Sequence, residues 1–253
     1  MHAYGRRLVF VLAAALILTM LTGTALADVT KVKPLGDGSV EVRWSDNDAE
    51  ELILVPKMSE DYEADLAEYG RIVVDTEGKS KMVLYGMAPG QSYWLLTLSS
   101  GTGYTTPYPY KASKPSNFNE WKTTPKISRF DLREKSMEGR YTTVDYFQAD
   151  SLEDMNNFTI CGLQWQLDYP MLKNARSFLW QEVITDPDGF RTVVVAGVLE
   201  LPMGMAYVYN DFMALDEYFS AIMDMRNEVP VGTYTFSIYW DGVHVCSTTF
   251  KVR

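Results

Sequence analysis

Short stretches of alternating apolar and polar residues, separated by turn residues, constrain the fold of this chain most. Val40, Val42 and Trp44 alternate with two charged residues, a pattern typical of a strand buried on one face. Similar runs, each bounded by polar residues, glycine or proline, follow at residues 52–55, 72–74, 82–85, 93–98, 141–148, 158–167, 178–185, 190–201, 233–240 and 243–252. We therefore predict an all-β chain of antiparallel sheets.

One segment breaks this β rhythm. Phe212, Leu215 and Phe219 fall at helical spacing behind Asp211, which is suited to cap a helix N-terminus. We predict a short amphipathic helix near residues 211–227, with its apolar side covering the core.

The first residues have the pattern of an export signal. Arg6 and Arg7 precede an unbroken apolar run at residues 8–18, and the small-residue pattern Ala-Leu-Ala follows at 25–27. We predict that residues 1–27 are a signal peptide and that the protein is secreted, or resides in a bacterial cell envelope. The apolar run is shorter than the ~20 residues that span a bilayer, so we expect no stable membrane anchor.

The charge balance argues against nucleic acid as a partner. The formal net charge is −10, and removing Arg6 and Arg7 lowers the 23 basic residues to 21 against 33 acidic ones. Phosphate backbones repel such an acidic surface.

The sequence offers few groups for catalysis. His244 is the one histidine outside the predicted signal peptide, so a histidine-activated nucleophile or a His-rich zinc site lacks partners. Paired acids such as Asp186 with Asp188, or Glu153 with Asp154, stand in turns, where carboxylates bind backbone N–H groups. We predict no catalytic residues, no metal and no cofactor, with a carboxylate-based hydrolase as the alternative.

A family resemblance covers residues 28–126. In the segment from Leu84 to Tyr93, an apolar residue precedes Pro89-Gly90 and a tyrosine follows three residues after the glycine. This resembles the fibronectin type III signature, and Trp44 stands where that family keeps its core tryptophan. The resemblance implies a seven-stranded sandwich with a binding or spacer role, in which the Tyr93 hydroxyl returns to nearby backbone.

A second domain is predicted at residues 129–253, after a junction at 125–128. It has only a general similarity to immunoglobulin-like tail domains of bacterial secreted proteins, based on residues 232–242. The predicted fold class is therefore two tandem antiparallel β-sandwiches. The first is fibronectin type III-like, and the second is immunoglobulin-like with one short helix.

The pairing of the two cysteines is left open by the sequence. An oxidising compartment would permit a disulfide between Cys161 and Cys246. Alternation places Cys161 on an apolar face, whereas a hairpin at residues 241–242 places Cys246 on the opposite face, with His244. A bulge before Phe250 would reverse that assignment.

The aromatic residues of a long loop are the strongest candidates for ligand binding. Tyr104, Tyr108 and Tyr110 stand there beside prolines, and Trp121 is a weaker addition. Rigid amphipathic rings of this kind contact protein partners or sugars. The alternative is that the prolines fold the tyrosines back onto the sandwich or onto the second domain.

An apolar sheet face is the candidate interface. After Gly90, alternation turns Trp94, Leu96 and Leu98 away from the first core. We expect this face to pack on the second domain, with a homodimer or an external partner as alternatives.

Together these features predict a secreted, non-catalytic binding, adhesion or envelope-scaffold module that recognises a protein partner. A cell-surface glycan bound by the loop aromatics is the alternative ligand. The sequence leaves the oligomeric state open.

Overall fold

The computed structural model describes residues 28–45, 49–99, 103–153 and 159–253. The predicted signal peptide lies outside these residues. The fold is all-β, with two antiparallel sandwiches in tandem, as predicted.

The first sandwich encloses the core around Trp44. One sheet has the strand order β1-β2-β5, and the other has β4-β3-β6, with β7 and β8 both pairing along the free edge of β6. Val42, Leu52 and Leu95 pack with Trp44 between the sheets. The elements are β1 Val29–Pro34, β2 Val40–Trp44, β3 Glu51–Pro56, α1 Tyr62–Tyr69, β4 Ile72–Asp75, β5 Lys81–Leu84, β6 Ser92–Ser99, β7 Gly103–Tyr104 and β8 Tyr108–Lys111.

The second sandwich is larger and richer in aromatic residues. Its sheets have the strand orders β10-β9-β11-β14 and β13-β12-β15-β16. Trp165, Trp180, Phe236 and Trp240 are buried between them. The elements are β9 Lys126–Lys135, β10 Tyr141–Val144, α2 Ala149–Glu153, β11 Ile160–Asp168, β12 Arg176–Thr185, β13 Arg191–Leu201, β14 Tyr207–Ala214, α3 Asp216–Arg226, β15 Gly232–Trp240 and β16 Val243–Val252.

The predicted helix near 211–227 begins later than expected. Residues up to Ala214 extend β14 against β11, and α3 starts at Asp216 after Leu215, so Asp211 is not its cap. The helix ends at Arg226, and Asn227 follows with a left-handed backbone and donates its N–H to the Met223 carbonyl. Its apolar side covers the second core, as predicted.

Helix α1 was not predicted, although its sequence carries end signals. The Asp61 carboxylate accepts the N–H groups of Glu63 and Ala64, and Gly70 follows the last helical residue with a φ of 64°. Both residue types at this spacing favour a short helix. Its hydrophobic side is narrow, which hides it from a search for periodicity.

The segment that resembles the fibronectin signature lies against the second sandwich. Gln181 Nε2 donates to the Tyr85 carbonyl at 2.7 Å, and Arg191 Nη1 donates to the Pro89 carbonyl at 2.6 Å. Ala88 is buried against Val183 and other residues on the outer face of β12 and β15. The two sandwiches therefore share a buried contact.

Two glycine turns complete this contact. Gly38 and Gly242 have φ values of +87° and +74°, and a Cβ added to Gly38 would lie 2.7 Å from the Gly242 nitrogen. Only glycine lets the two backbones approach so closely. This fixes the hairpin between β15 and β16 against the turn before β2.

None of the helices in the described part of the chain has the length and apolar character needed to cross a bilayer.

Candidate functional site

The three loop tyrosines do not share one surface. Tyr108 and Tyr110 lie on β8, opposite Leu95 and Tyr93 of β6, and are half-buried against the first core. Tyr104 is 46% exposed, and its hydroxyl accepts a hydrogen bond from Arg71. Two of the rings therefore pack back onto their own sandwich, the arrangement given above as the alternative to ligand binding.

Trp121 belongs to the aromatic cluster of the second sandwich. Its ring centroid lies 5.1 Å from Phe118, 5.3 Å from Trp240 and 5.9 Å from Tyr169. One side of the ring lines a shallow cavity beside Arg176. Trp121 and the loop tyrosines therefore lie on different sandwiches.

Helix α1 covers the apolar face of Trp94, Leu96 and Leu98. The Tyr62 ring meets the edge of Trp94 at 6.3 Å between centroids, and Leu66 packs on the same cluster. The expectation that the second domain covers this face is therefore corrected. The connection between β3 and β4 folds back as a helix over its own sheet.

A carboxylate fixes this helix to the sheet. Asp65 accepts the Trp94 indole N–H at 2.8 Å and the backbone N–H groups of Ser59 and Met58 at 3.0 and 3.2 Å. Burial raises the Asp65 pKa, but these donors outweigh it, and the pKa lies below its usual value. A carboxylate with this many donors is structural.

Both cysteines are free thiols within the described residues. Cys161 lies on β11, and Cys246 lies on β16 in the facing sheet. The pairs Ile238 with Cys246 and Tyr239 with His244 skip one residue, so a bulge does shift the register here. Burial raises the pKa of each thiol to about 12, which leaves both protonated and poorly reactive.

The turn acids bind backbone groups, as their positions predict. Asp186 accepts the N–H groups of Phe190 at 2.8 Å and Asp188 at 3.0 Å, and pairs with Arg226 at 2.9 Å. Glu153 accepts the Val229 N–H at 2.9 Å, and its predicted partner Asp154 lies outside the described residues.

His244 occupies a β16 edge position. Its ring packs 5.4 Å from Tyr239, and burial with the nearby Arg191 charge lowers its pKa. Within the described residues, no group of three or more His, Cys, Asp or Glu side chains is placed to hold a metal.

An open cleft between the edges of the two sheets is the feature that sequence reasoning missed. It has a volume of about 260 Å³ and lies between β13, at the edge of one sheet, and β14, at the edge of the other. The residues that line it are Trp165, Trp180, Glu182, Val195, Ala196, Gly197, Val198, Leu199, Val208, Tyr209 and Asn210.

Glu182 lies in this cleft with an incomplete set of donors. The residue is 3% exposed, and its Oε1 accepts the Trp180 indole N–H at 2.9 Å. Its Oε2 is buried and has no hydrogen-bond partner among the described residues. Burial raises the pKa of Glu182 to about 7, although the indole N–H groups of Trp180 and Trp165 lower it.

The strand pattern explains how a carboxylate reaches this position. Phe178, Trp180, Glu182 and Ile184 alternate along β12, so all four side chains point between the sheets. Glu182 lies opposite Ile238 of β15, which is also buried. One acidic residue at an inward position of an apolar strand is the signal that could have revealed the cleft.

Two tryptophans and an aromatic edge shape the cleft. The rings of Trp165 and Trp180 stack with 5.6 Å between centroids and 18° between planes. Tyr209 lines the cleft and is 56% exposed, and the ring of Tyr207, 44% exposed, lies beside it with 6.2 Å between the ring centroids. The cleft therefore combines aromatic surface with a buried, partly unpaired carboxylate.

The comparisons with known proteins leave the function open. No protein-family model matches the chain, and no curated protein matches it. Part of the chain is similar to a solved structure of a β-D-glucoside glucohydrolase from Trichoderma reesei, with 13% sequence identity and a TM-score of 0.30. The match covers 52% of this chain and 19% of that protein.

Proposed function

We propose that the protein is an exported, non-catalytic binding module that recognises an extended segment of a partner protein by adding it as a strand to β13. The observation that carries this proposal is the exposed middle of β13. Residues 195–198 are all exposed, and Val198 is 75% exposed. Strand addition uses the unpaired backbone N–H and C=O groups of such an edge.

The edge of β13 differs from the edges formed by β10 and β16. The edge strand β14 is shorter than β13, at eight residues, and carries the charge of Asp211. The edge strand β10 is only four residues long. The outer edge of β16 is covered, because His244 donates its N–H to Ser116, and Phe147 donates its N–H to Lys251. In contrast, β13 has eleven residues and pairs only with β12 among the described strands.

The side chains of β13 leave this edge open to pairing. Residues 192–199 carry no charge and no proline, the two features that most often block an edge strand. One irregularity, an extra residue at Val194, lies just before the exposed segment. A long apolar edge of this kind favours pairing with another chain.

The resemblances to fibronectin type III and immunoglobulin-like domains are part of this proposal. The strand order of the first sandwich supports the first resemblance. Tyr93 supports it further, because its hydroxyl accepts the Ala88 N–H at 3.0 Å. In this arrangement the first domain is a spacer fixed to the second, which presents the binding edge.

The lining of the cleft supports a non-catalytic role. Glycoside hydrolysis by carboxylates usually needs two acids at a set separation. Among the described residues that line the cleft, Glu182 is the one acid. The net charge of −10 favours partner segments that carry basic residues.

Selection of peptides on the full chain tests the proposal. A display library of random ten-residue peptides is selected against the protein, and the bound peptides are measured against Val198→Lys. A lysine on an exposed edge hinders strand addition, so we expect binding to fall by about tenfold or more. Amide hydrogen exchange of residues 195–198 should slow when peptide binds.

Val231→Lys is the matched control, because Val231 is 64% exposed and lies outside the strands. It adds the same charge and should leave peptide binding unchanged. Peptides that bind both variants equally, without protecting β13, would show that the edge is not the binding surface.

Carbohydrate recognition is the second candidate, favoured by the exposed pair Tyr207 and Tyr209 rather than by the loop tyrosines. Neighbouring rings of this kind can stack on sugars. A glycan array probed with the native protein and with Tyr209→Ala tests it. Binding to a glycan that the variant loses would favour this function.

A further inference from the structure

We propose that the floor of the cleft binds a positively charged side chain of the partner, the ammonium of a lysine or the guanidinium of an arginine, with Glu182 as its counter-ion. This inference rests on the proposed function, because the strand added at β13 supplies the side chain. It goes beyond that function by naming the group that is recognised.

One oxygen of the Glu182 carboxylate, Oε2, lacks a hydrogen-bond partner among the described residues. Buried carboxylates in folded proteins are normally paired with a cation or saturated by N–H donors. Glu182 Oε1 has the Trp180 N–H, whereas Oε2 is buried and has no partner among the described residues, and Glu182 is one of the residues that line the cleft. A ligand that donates hydrogen bonds would complete this carboxylate.

The residues that line the cleft include an acid but no base. Of the described residues that line the cleft, none is a lysine, arginine or histidine, and Tyr209 is the one titratable group besides Glu182. The protein therefore supplies a negative charge here without its own counter-ion. An incoming ammonium or guanidinium is complementary to it, and the acidic surface of the whole chain attracts the same groups.

Two tryptophan rings lie beside Glu182 in the cleft. Trp165 and Trp180 line the same cleft and stack on each other. Both rings are nearly buried, 2% and 4% exposed, so they form an apolar wall beside Glu182 rather than an open face for a stacked cation. Aromatic rings beside a carboxylate suit a long side chain with an apolar stem and a charged end.

A strand added at β13 would direct some of its side chains toward Glu182. Side chains of a strand paired with β13 would alternate between the two faces of its sheet. One set would point between the sheets, toward the cleft. A lysine or arginine at such a position would lie beside Val195 and Leu199, which line the approach to Glu182.

Proton release gives this site a distinctive signature. Because burial raises the pKa of Glu182 to about 7, much of the carboxyl is protonated slightly below neutral pH. A bound cation favours the ionised form. Binding at about pH 6.5 should therefore release a proton, and affinity should rise as the pH increases through the pKa of Glu182.

Small cations test the site directly on the full chain. The probes are n-butylammonium and n-propylguanidinium, with 1-pentanol as a neutral compound of similar size. Binding is followed by the indole N–H signals of Trp165 and Trp180 in NMR spectra, and proton release is measured by calorimetry in buffers of different ionisation enthalpy. We expect the cations to shift both signals and the alcohol to bind more weakly.

Glu182→Gln keeps the shape of the side chain and removes its charge. We expect this variant to bind the cations about tenfold more weakly or worse, and to lose the proton release. Glu200→Gln is the control, because it removes the same charge from an exposed position on β13. Equal binding by Glu182→Gln, or equal binding of 1-pentanol, would overturn the inference.

The peptide selection separates this inference from the function on which it rests. Peptides that depend on β13 but show no preference for lysine or arginine, and that bind Glu182→Gln normally, would contradict the inference alone. Cations that bind through Glu182 without any β13-dependent peptide would contradict the strand-addition function instead. They would leave a site for free organic cations.

Discussion

Each sandwich contains a tryptophan that donates its indole N–H to a buried carboxylate, and the two pairs differ in what else surrounds them. In the first sandwich Trp94 donates to Asp65 at 2.8 Å, and in the second Trp180 donates to Glu182 at 2.9 Å. The Asp65 pKa is lowered, whereas the Glu182 pKa is raised to about 7.

The balance between burial, which raises the pKa, and hydrogen-bond donors, which lower it, explains the opposite directions of the two pKa shifts. Asp65 also receives backbone N–H groups from the loop before α1, and the helix closes over the tryptophan. Glu182 accepts one hydrogen bond, from the Trp180 indole, with the Trp165 indole N–H as a further lowering influence on its pKa, and it lines a cleft between sheet edges. A buried carboxylate thus acts as a structural link where the fold supplies donors, and as a binding group where it leaves them out.

Asp186 is an intermediate case, because it has several partners and yet its burial raises its pKa. It accepts two backbone N–H groups and pairs with Arg226, whose guanidinium also lies 5.0 Å from the Tyr69 ring of the first sandwich. Arg226 thus serves both the carboxylate and the contact between the domains.

Removing the guanidinium of Arg226 should have the largest effect on stability. Arg226→Ala leaves Asp186 buried without its counter-charge, and we expect a loss of about 3–5 kcal/mol in the free energy of unfolding. Urea denaturation measures this loss. The control Arg140→Ala removes an exposed ion pair with Glu138 and should change stability by less than about 1 kcal/mol. Similar losses for both variants would argue against a structural role for the buried pair.

Removing the charge of Asp65 should have the next largest effect on stability. Asp65→Asn cannot accept all the donors around it, and we expect a loss of about 2–3 kcal/mol near neutral pH. The native Asp65 pKa lies below its unfolded value, so this stability is lost as the pH falls through the folded pKa. Glu63→Gln, which neutralises an exposed acid on the same helix, is the control for urea denaturation.

Removing the charge of Glu182 should stabilise the protein, in contrast to the two changes above. The native pKa of Glu182, about 7, lies above its ordinary value of 4.5. Native protein therefore binds more protons in this window, and its stability falls as the pH rises. We expect Glu182→Gln to be more stable than the native chain by roughly 1–3 kcal/mol at about pH 8, and by little at about pH 5.

Thermal or urea unfolding of both proteins across this pH range checks the prediction. Glu200→Gln should follow the native curve, because its carboxylate is exposed. A pH-independent difference between Glu182→Gln and the native chain would mean that Glu182 titrates near its ordinary pKa.

The smallest effect is expected for the exposed loop tyrosine. Tyr104→Ala removes a ring that contacts mainly Arg71 at the surface, and we expect a change within about 0.5 kcal/mol. Tyr110→Ala removes a half-buried ring that packs on the first core and should cost more. Equal losses in urea denaturation would show that Tyr104 also supports the sandwich.

The sequence predicted most strands because alternation and turn residues are local signals. The hairpin at Asp241 and Gly242 joins β15 to β16 as expected, and Tyr93 returns its hydroxyl to the backbone. The turn roles of Asp186 and Asp188 were also readable, since they depend on neighbouring residues.

Contacts between residues far apart in the chain could not be predicted from these local patterns. Alternation turned Trp94 away from the first core correctly, but the cover came from a helix with a narrow apolar side, not from the second domain. Tyr108 and Tyr110 alternate inward once β8 pairs with β6, a packing that the sequence offered only as the alternative to ligand binding.

The sequence by itself determined that this chain forms sheets, where the hairpin at 241–242 turns and which residues most of the strands bury, because those properties follow from a period of two and from local backbone preferences. Only the tertiary structure decided which buried carboxylate is saturated. Asp65 meets the Trp94 indole of a distant strand as well as backbone N–H groups of the loop before its helix, and Glu182 lies where the edges of two sheets stay apart. Such differences depend on contacts between distant segments, which no local pattern encodes.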